Sequence, residues 1–245
     1  MEVHNSDTSV YPVALSLGSS AQLSRFSKRI AARVAGSYPE RDAIFKLRYQ
    51  SYLRAGLVCQ NSFLRYIEPA DHASNASLMG LYVDRRLISS LRLQISNASS
   101  PYFSSLELFP HALEPLLRSD KTIVDMSRVV TEGESGRQYA WMPYLILRCW
   151  IMAAEHFRAD YISAAMRPQH LLFYRRLLGS DLHSELRRPP DDPTTLGLVT
   201  VSFASSANRL YENLPFLRST PFERQQLFEH STTPIKAAAL QPSVS

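Results

Sequence analysis

Cysteine is scarce in this chain, with two residues, Cys59 and Cys149, among 245. Their separation fits no metal-ligand spacing, which excludes a disulfide framework and a cysteine zinc site. Both lie in apolar patterns and are expected as reduced core residues of a cytoplasmic protein. No stretch approaches the roughly 18 consecutive apolar residues of a membrane helix. The opening MEVHNSDTSV lacks the basic-then-apolar layout of a secretory signal. Also missing are G-x-G-x-x-G, a Walker-type lysine loop, G-x-S-x-G and H-E-x-x-H, and with them the commonest nucleotide, hydrolase and metalloprotease sites. No helix-turn-helix, RNA-binding or zinc-finger pattern is present, and Lys and Arg are spread along the chain. The net charge of +5 therefore points to an acidic protein partner or an anionic ligand and not to nucleic acid.

What is there is an ordinary globular composition, 45% hydrophobic and 20% charged, arranged as alternating elements. Residues 1–37 read as a Ser-rich tail followed by a basic amphipathic helix. In that helix Leu23, Phe26, Ile30 and Val34 recur at helical spacing among Arg25, Lys28, Arg29 and Arg33, which makes residues 22–34 a candidate for peripheral membrane contact. The body spans 38–218, and 219–245 reads as a C-terminal tail. Within the body, PERDAIFKLRYQSYLRAGLV is helical, with Pro39 in its first turn and Gly56 near its end. SLMGLYVDRRLISSLRLQIS is a hairpin turning at Asp84-Arg85-Arg86, and a looped stretch with a short helix follows. IVDMSRVVT is a strand, WMPYLILRCWIMAAEHFRA a buried helix and DYISAAM a second strand. Strand, helix, strand is a βαβ-type unit, which implies two parallel strands. PQHLLFYRRLLG is a helix closed by Gly179, GLVTVSFAS a late strand and ANRLYENLPFLR a last helix. The expected fold class is α/β, a mixed central sheet flanked by helices.

The chemistry-bearing residues are charges on or beside strands: Arg48, Glu68, Asp71, Arg92, Asp125 and Arg128. Charges in central strands either pair or line a site, because burying one unpaired is costly. Asp125 and Arg128 stand three apart, so strict alternation sends them to opposite faces. A β-bulge near Met126–Ser127 would bring them to the same face, beside a cleft between this strand and Tyr161–Met166.

Arg48 with Tyr52, Glu68-x-x-Asp71, SSLRL at 89–93 and Asp-x-Ser-Arg at 125–128 resemble, in order and spacing, the signature blocks of acyl-homoserine-lactone synthases and the related N-acyl amino acid synthases. The resemblance covers about residues 40–180 and implies a GNAT-like acyl-CoA N-acyltransferase fold. It also implies an acyltransferase that moves a fatty acyl group from acyl carrier protein to the amine of an amino acid. The match to the lactone synthases has two gaps: Asp125 stands where their Glu usually does, and the tryptophan that helps shape their S-adenosylmethionine pocket is absent near Leu57 and Val58, an absence that favours the amino acid synthases. The rival readings are a lactone synthase using S-adenosylmethionine and a non-catalytic acyl-carrier or lipid-binding protein. The resemblance assigns Asp125, Arg128 and Tyr174 to catalysis, with Tyr174 as general acid, and Arg48, Tyr52, Glu68, Asp71, Arg92 and Ser127 to substrate binding. No resident cofactor or metal is expected beyond the donor's phosphopantetheine. The segment 130–137 lacks the G-x-G that grips a pyrophosphate and carries Glu132 and Glu134, which suits a carrier-bound donor. Arg137, Arg175 and Arg176 are the expected carrier-docking residues.

Overall fold

The computed structural model describes residues 29–133, 139, 141–179, 183–189 and 194–229. Among them seven strands form one mixed sheet in the order β1-β2-β3-β4-β5-β7-β6. Chain order is β1 (Ile30–Val34), α1 (Tyr38–Arg54), a one-turn 3-10 helix (Pro69–His72), β2 (Ala76–Val83), β3 (Arg86–Ser96), α2 (Ser104–Leu108), α3 (Pro110–Arg118) and β4 (Ile123–Thr131). It continues with α4 (Met142–His156), β5 (Tyr161–Met166), α5 (Pro168–Leu178), β6 (His183–Arg187), β7 (Leu196–Ser202), α6 (Phe203–Asn213), a 3-10 turn (Pro215–Leu217) and α7 (Pro221–Phe228).

Local chemistry accounts for the sharper boundaries. Ser37 and Glu40 form a capping box at the start of α1, with Pro39 in the first turn, and Gly56 just past the end takes φ 67°. Gly179 closes α5 at φ 68°. The β2–β3 hairpin turns through Asp84 and Arg85, both at positive φ (49° and 68°), a primed turn made without glycine.

Period-2 alternation gives the sheet two unlike faces. Leu91, Leu93, Val124, Met126, Ile162, Val199 and Val201 join the main core under α4 and α5. The other face carries Arg92, Gln94, Asp125 and Ser163 beside Ile123 and Leu198, which pack against Phe103, Phe109, Leu113 and Leu117 of the α2–α3 region. The β4–α4–β5 crossover joins the parallel pair expected of it. That pairing covers only Ile123↔Tyr161, Val124↔Ile162 and Asp125↔Ser163; β4 runs on to Thr131 and β5 to Met166 without further rungs. The two strands diverge from Asp125 onward.

Several expectations are corrected. Ile30–Val34 is not helical but an edge strand antiparallel to β2; Ile30, Ala32 and Val34 alternate against the core, and sheet pairing overrides the helical spacing. The membrane-contact candidate 22–34 thus loses its last five residues, Ile30–Val34, to the sheet, and residues 22–28 lie outside the described residues. The body reaches beyond 38–218, because β1 precedes it and α7, with buried Leu227 and Phe228, packs on the core after it. Strand β6 was not foreseen. Cys149 is buried as expected, whereas Cys59 is exposed. No helix among the described residues is long and apolar enough to cross a membrane.

Candidate active site

The bulge exists, one step later than expected. Arg92 pairs with Ser127 but Ser90 pairs with Val130, so Arg128 and Val129 together oppose Leu91. Arg128 itself adopts φ 52°, the left-handed conformation of a bulged residue. The extra residue turns Arg128 onto the face that carries Arg92. Its partner there is Glu68 and not Asp125: Arg128 Nε donates to Glu68 Oε2 at 2.6 Å, and Nη2 to Oε1.

Glu68 and Asp71 come from the turn around the 3-10 helix. The Glu68 N–H donates to Asp71 Oδ2 at 2.9 Å, which fixes the two acids relative to each other. Arg92 is the hub between them, with Nη1 2.9 Å from both Glu68 Oε2 and Asp71 Oδ1, Nη2 2.7 Å from Ser104 Oγ and Nε 3.1 Å from Ser127 Oγ. Arg48, on the buried face of α1, donates to Asp71 Oδ1 at 2.7 Å. Three guanidinium groups therefore share two carboxylates. Burial works to raise the Glu68 carboxyl, but the neighbouring Arg128 and Arg92 outweigh it and hold it below the usual range. Asp71 is likewise held low, with Arg48 and Arg92 outweighing burial.

The network opens outward at one end only. Arg48 and Asp71 side chains are fully buried and Arg92 nearly so, whereas Glu68 is 18% and Arg128 30% exposed. Arg128 Nη1 makes no hydrogen bond among the described residues, so one edge of its guanidinium remains available. Its charge lies 5.7 Å from the ring of Tyr66, whose hydroxyl donates to Glu68 Oε1 at 3.0 Å and whose ring meets Tyr52 edge-on at 4.9 Å. Tyr66 was missed in the sequence; its only signal is its place two residues before Glu68.

Asp125 stands apart from this network. It is fully buried, and neither carboxylate oxygen has a hydrogen-bond partner of ordinary geometry. Burial pushes its pKa up to about 6, against the pull of the facing Ser105 and Ser163 hydroxyls and the charge of Arg92. Its carboxyl lies at the last rung before β4 and β5 part. Ser127, two residues on, faces the same way and accepts from Arg92.

Tyr174 is buried on the α4 side of the sheet, edge-on to Trp150 at 6.0 Å, and so lies across the sheet from the charged cluster. Arg175 and Arg176 are exposed on the last turn of α5; Arg137 lies outside the described residues. No group of three His, Cys, Asp or Glu among the described residues stands where it could hold a metal ion. The structure thus gathers Arg48, Glu68, Asp71, Arg92, Ser127 and Arg128 into one bonded network, borders it with Tyr52 and Asp125, and leaves Tyr174 elsewhere.

Comparison with solved structures places this architecture. FeeM, an N-acyl amino acid synthase from uncultured soil microbes, superposes with a TM-score of 0.62 at 16% identity, over 76% of this chain and 98% of that one. The CoA-dependent acyl-homoserine lactone synthase BjaI, solved with SAM and isopentyl-CoA, gives 0.54 at 16% identity over 76% and 89%. TofI, solved with an inhibitor and MTA, gives 0.54 at 15% identity over 78% and 100%. At these identities the likeness establishes the fold, that of the acyl-CoA N-acyltransferases. Among curated protein sequences none matches the chain. The family profile described as "N-acyl amino acid synthase FeeM" matches residues 43–196, more than half of the chain and the whole of the charged network, so the protein belongs to the FeeM family of N-acyl amino acid synthases and is an acyltransferase.

Proposed function

We propose that the protein transfers a fatty acyl group from the phosphopantetheine thioester of acyl carrier protein to the α-amine of a free amino acid. The observation that carries this reading is Arg128, turned by the bulge to the mouth of the network with one guanidinium edge uncommitted. A planar fork of donors suits a carboxylate, and an α-amino acid presents one a fixed distance from its amine.

The remaining steps follow from the same neighbourhood. The amine arrives as an ammonium ion and must lose a proton before it attacks. Glu68, held low between two arginines, is a poor base; Asp125, pushed up to about 6, is the better one. The edge of β4 that faces β5 has no strand partner beyond Asp125, so its N–H groups suit a developing oxyanion. The leaving thiolate needs a proton, which the attacking nitrogen supplies as the tetrahedral intermediate collapses, so the step balances without Tyr174 on the other face of the sheet. Support for a carrier-bound donor over free coenzyme A comes from the sequence of 130–137, without a G-x-G for the pyrophosphate, and from exposed Arg175 and Arg176, which suit an acidic carrier.

The test is release of free thiol from acyl carrier protein, with mass spectrometry of the lipid product, across a panel of amino acids, with S-adenosylmethionine and acyl-CoA as separate arms. An N-acyl amino acid is expected. Product only with S-adenosylmethionine would move the reading to lactone synthesis, and carrier binding without thiol release from any acceptor would move it to a non-catalytic binding protein.

A further inference from the structure

The loop between α1 and the 3-10 helix carries its apolar side chains outward. Phe63 is 74% and Leu64 58% exposed, and Ile67 follows at 46%. Apolar residues scattered singly over a surface are ordinary, but two large neighbours at one tip call for a cause. The cause is not a loose loop. Leu64 N–H donates to the Asn61 carbonyl at 3.3 Å, Asn61 N–H to the Tyr49 hydroxyl at 3.1 Å, Asn61 Nδ2 to the Arg65 carbonyl at 3.2 Å and Tyr66 N–H to the Phe45 carbonyl at 3.2 Å. Arg65 closes the tip, its Nη1 2.6 Å from the Phe63 carbonyl and its Nε donating to Asp42. Leu64 itself takes φ 52°, a left-handed conformation that a non-glycine residue keeps only where its surroundings hold it there.

The ground beside the tip is basic. From Ala43 to Ile67 the chain has no Asp or Glu. The loop lies along α1 through its contacts with Asp42, Phe45 and Tyr49, and the exposed stripe next to it is Lys46, Gln50 and Arg54, spaced by four residues. Asp42 is the nearest acid, and it is 15% exposed and shared between Lys46 and Arg65, which leaves the surface a surplus of positive charge. Tyr38, 77% exposed, stands within electrostatic reach of Arg65 and adds an amphipathic ring to the rim. A stable protein interface takes about 800 Å² from each partner, of which a tip of two side chains supplies a fraction. A bilayer asks for less: a few apolar side chains below the headgroups, with cations level with the phosphates.

We propose that the tip of this loop is a membrane contact, in which Phe63 and Leu64 enter an anionic lipid surface and Lys46, Arg54 and Arg65 lie against its headgroups. The contact stands on the surface alone, whereas its use rests on the proposed acyl transfer. Leu64 is four residues before Glu68, so the tip lies within about 14 Å of the acid that holds Arg128 at the mouth of the network. An N-acyl amino acid is an acyl chain ending in a carboxylate, an amphiphile that belongs in lipid. A mouth so close to the bilayer lets the chain leave with little exposure to water.

The test is sedimentation of the full chain with phosphatidylcholine vesicles, alone and with roughly one-third phosphatidylglycerol. The chain should bind the anionic vesicles and bind the neutral ones weakly. Phe63→Ser combined with Leu64→Ser should weaken partitioning at least tenfold, and Arg54→Gln about fivefold. The double variant should keep its melting temperature, and its thiol release from acyl carrier protein without vesicles should be unchanged. In Phe63→Trp, brominated lipid should quench emission that it leaves untouched in the parent chain. The inference is overturned if the wild-type chain binds neither vesicle, if the double variant binds as the wild type does, or if lipid does not quench the new tryptophan. Loss of acyl carrier binding in the double variant, with no vesicle binding by the wild type, would give this surface to a protein partner and overturn it as well. A chain that binds vesicles through Phe63 and Leu64 but acylates no amine upholds the contact and counts against the functional reading instead.

Discussion

Two polar clusters share one face of the sheet and solve burial in opposite ways. In the first, Arg48, Asp71, Arg92, Glu68 and Arg128 bond to one another. In the second, Gln94, Asp125, Ser163 and Thr200 lie side by side, and Gln94 Nε2, both Asp125 oxygens and the two hydroxyls lack a partner of ordinary geometry. Arg92 and Gln94 are two residues apart on the same strand, so the difference is not one of depth or dielectric. It is one of task. An ionic network holds a shape: its carboxylates are committed to its guanidinium groups, with Arg48 Nε and Nη2 the buried donors it leaves unbonded. A row of open groups holds nothing firmly but can change protonation without breaking anything.

If that contrast is right, removing a charge from the first cluster should harm stability most. Asp71→Asn leaves Arg48 and Arg92 buried with reduced compensation and should cost about 3–5 kcal/mol, the usual penalty for breaking a buried pair. Denaturant titration would register it, and a cost under about 1 kcal/mol would mean the network is looser than its geometry.

Asp125→Asn should act in the opposite direction. The folded pKa of Asp125 is pushed up to about 6 from an ordinary 3.8, so the native state binds more protons than the unfolded chain between those values. Stability therefore falls as pH rises from about 4 to 6, and the penalty is complete above it. Asparagine removes that penalty and should stabilise the protein by up to roughly 3 kcal/mol at pH 8, with little difference at pH 4. Acyl transfer should be lost in the same variant. A variant that is both less stable at pH 8 and still active would erase the distinction between the clusters.

A smaller effect is expected where the first cluster meets solvent. Arg128→Lys keeps the charge but loses the fork, and should raise KM for the amino acid about 10- to 100-fold with a minor change in melting temperature. An unchanged KM would remove Arg128 from acceptor binding. Least of all, Arg85→Gly in the β2–β3 turn relieves a non-glycine residue at φ 68° and should alter stability by under about 1 kcal/mol without touching kinetics.

The sequence exposed the first cluster far better than the second. Arg48, Glu68, Asp71, Arg92 and Arg128 announce themselves because charges are rare in strands and because local motifs place them. Their partners were less legible: the three-residue spacing suggested Asp125 for Arg128, whereas the bulge delivered Arg128 to Glu68, 60 residues away. The second cluster left almost no trace, since Ser163, Thr200 and Gln94 are unremarkable residues that meet only through the register of strands far apart in the chain. The hairpin, the crossover and the helix caps were readable from local chemistry. Strand β1 was not, because Ile30–Val34 fits a helical period as well as a strand's and only the edge of β2 decides between them.

Trp150 gives these ideas an optical handle. Its indole N–H donates to the Val124 carbonyl at 2.9 Å, one residue before Asp125 and on the rung where β4 and β5 still touch. The chain has only one other tryptophan, Trp141. In a Trp141→Phe background the remaining tryptophan sits in the core with its dipole tied to the strand that carries Asp125. Widening of the gap between β4 and β5 by an arriving acyl chain, or a change in charge on Asp125, should therefore appear as a shift in emission, and the same protein can be followed in real time without any added label.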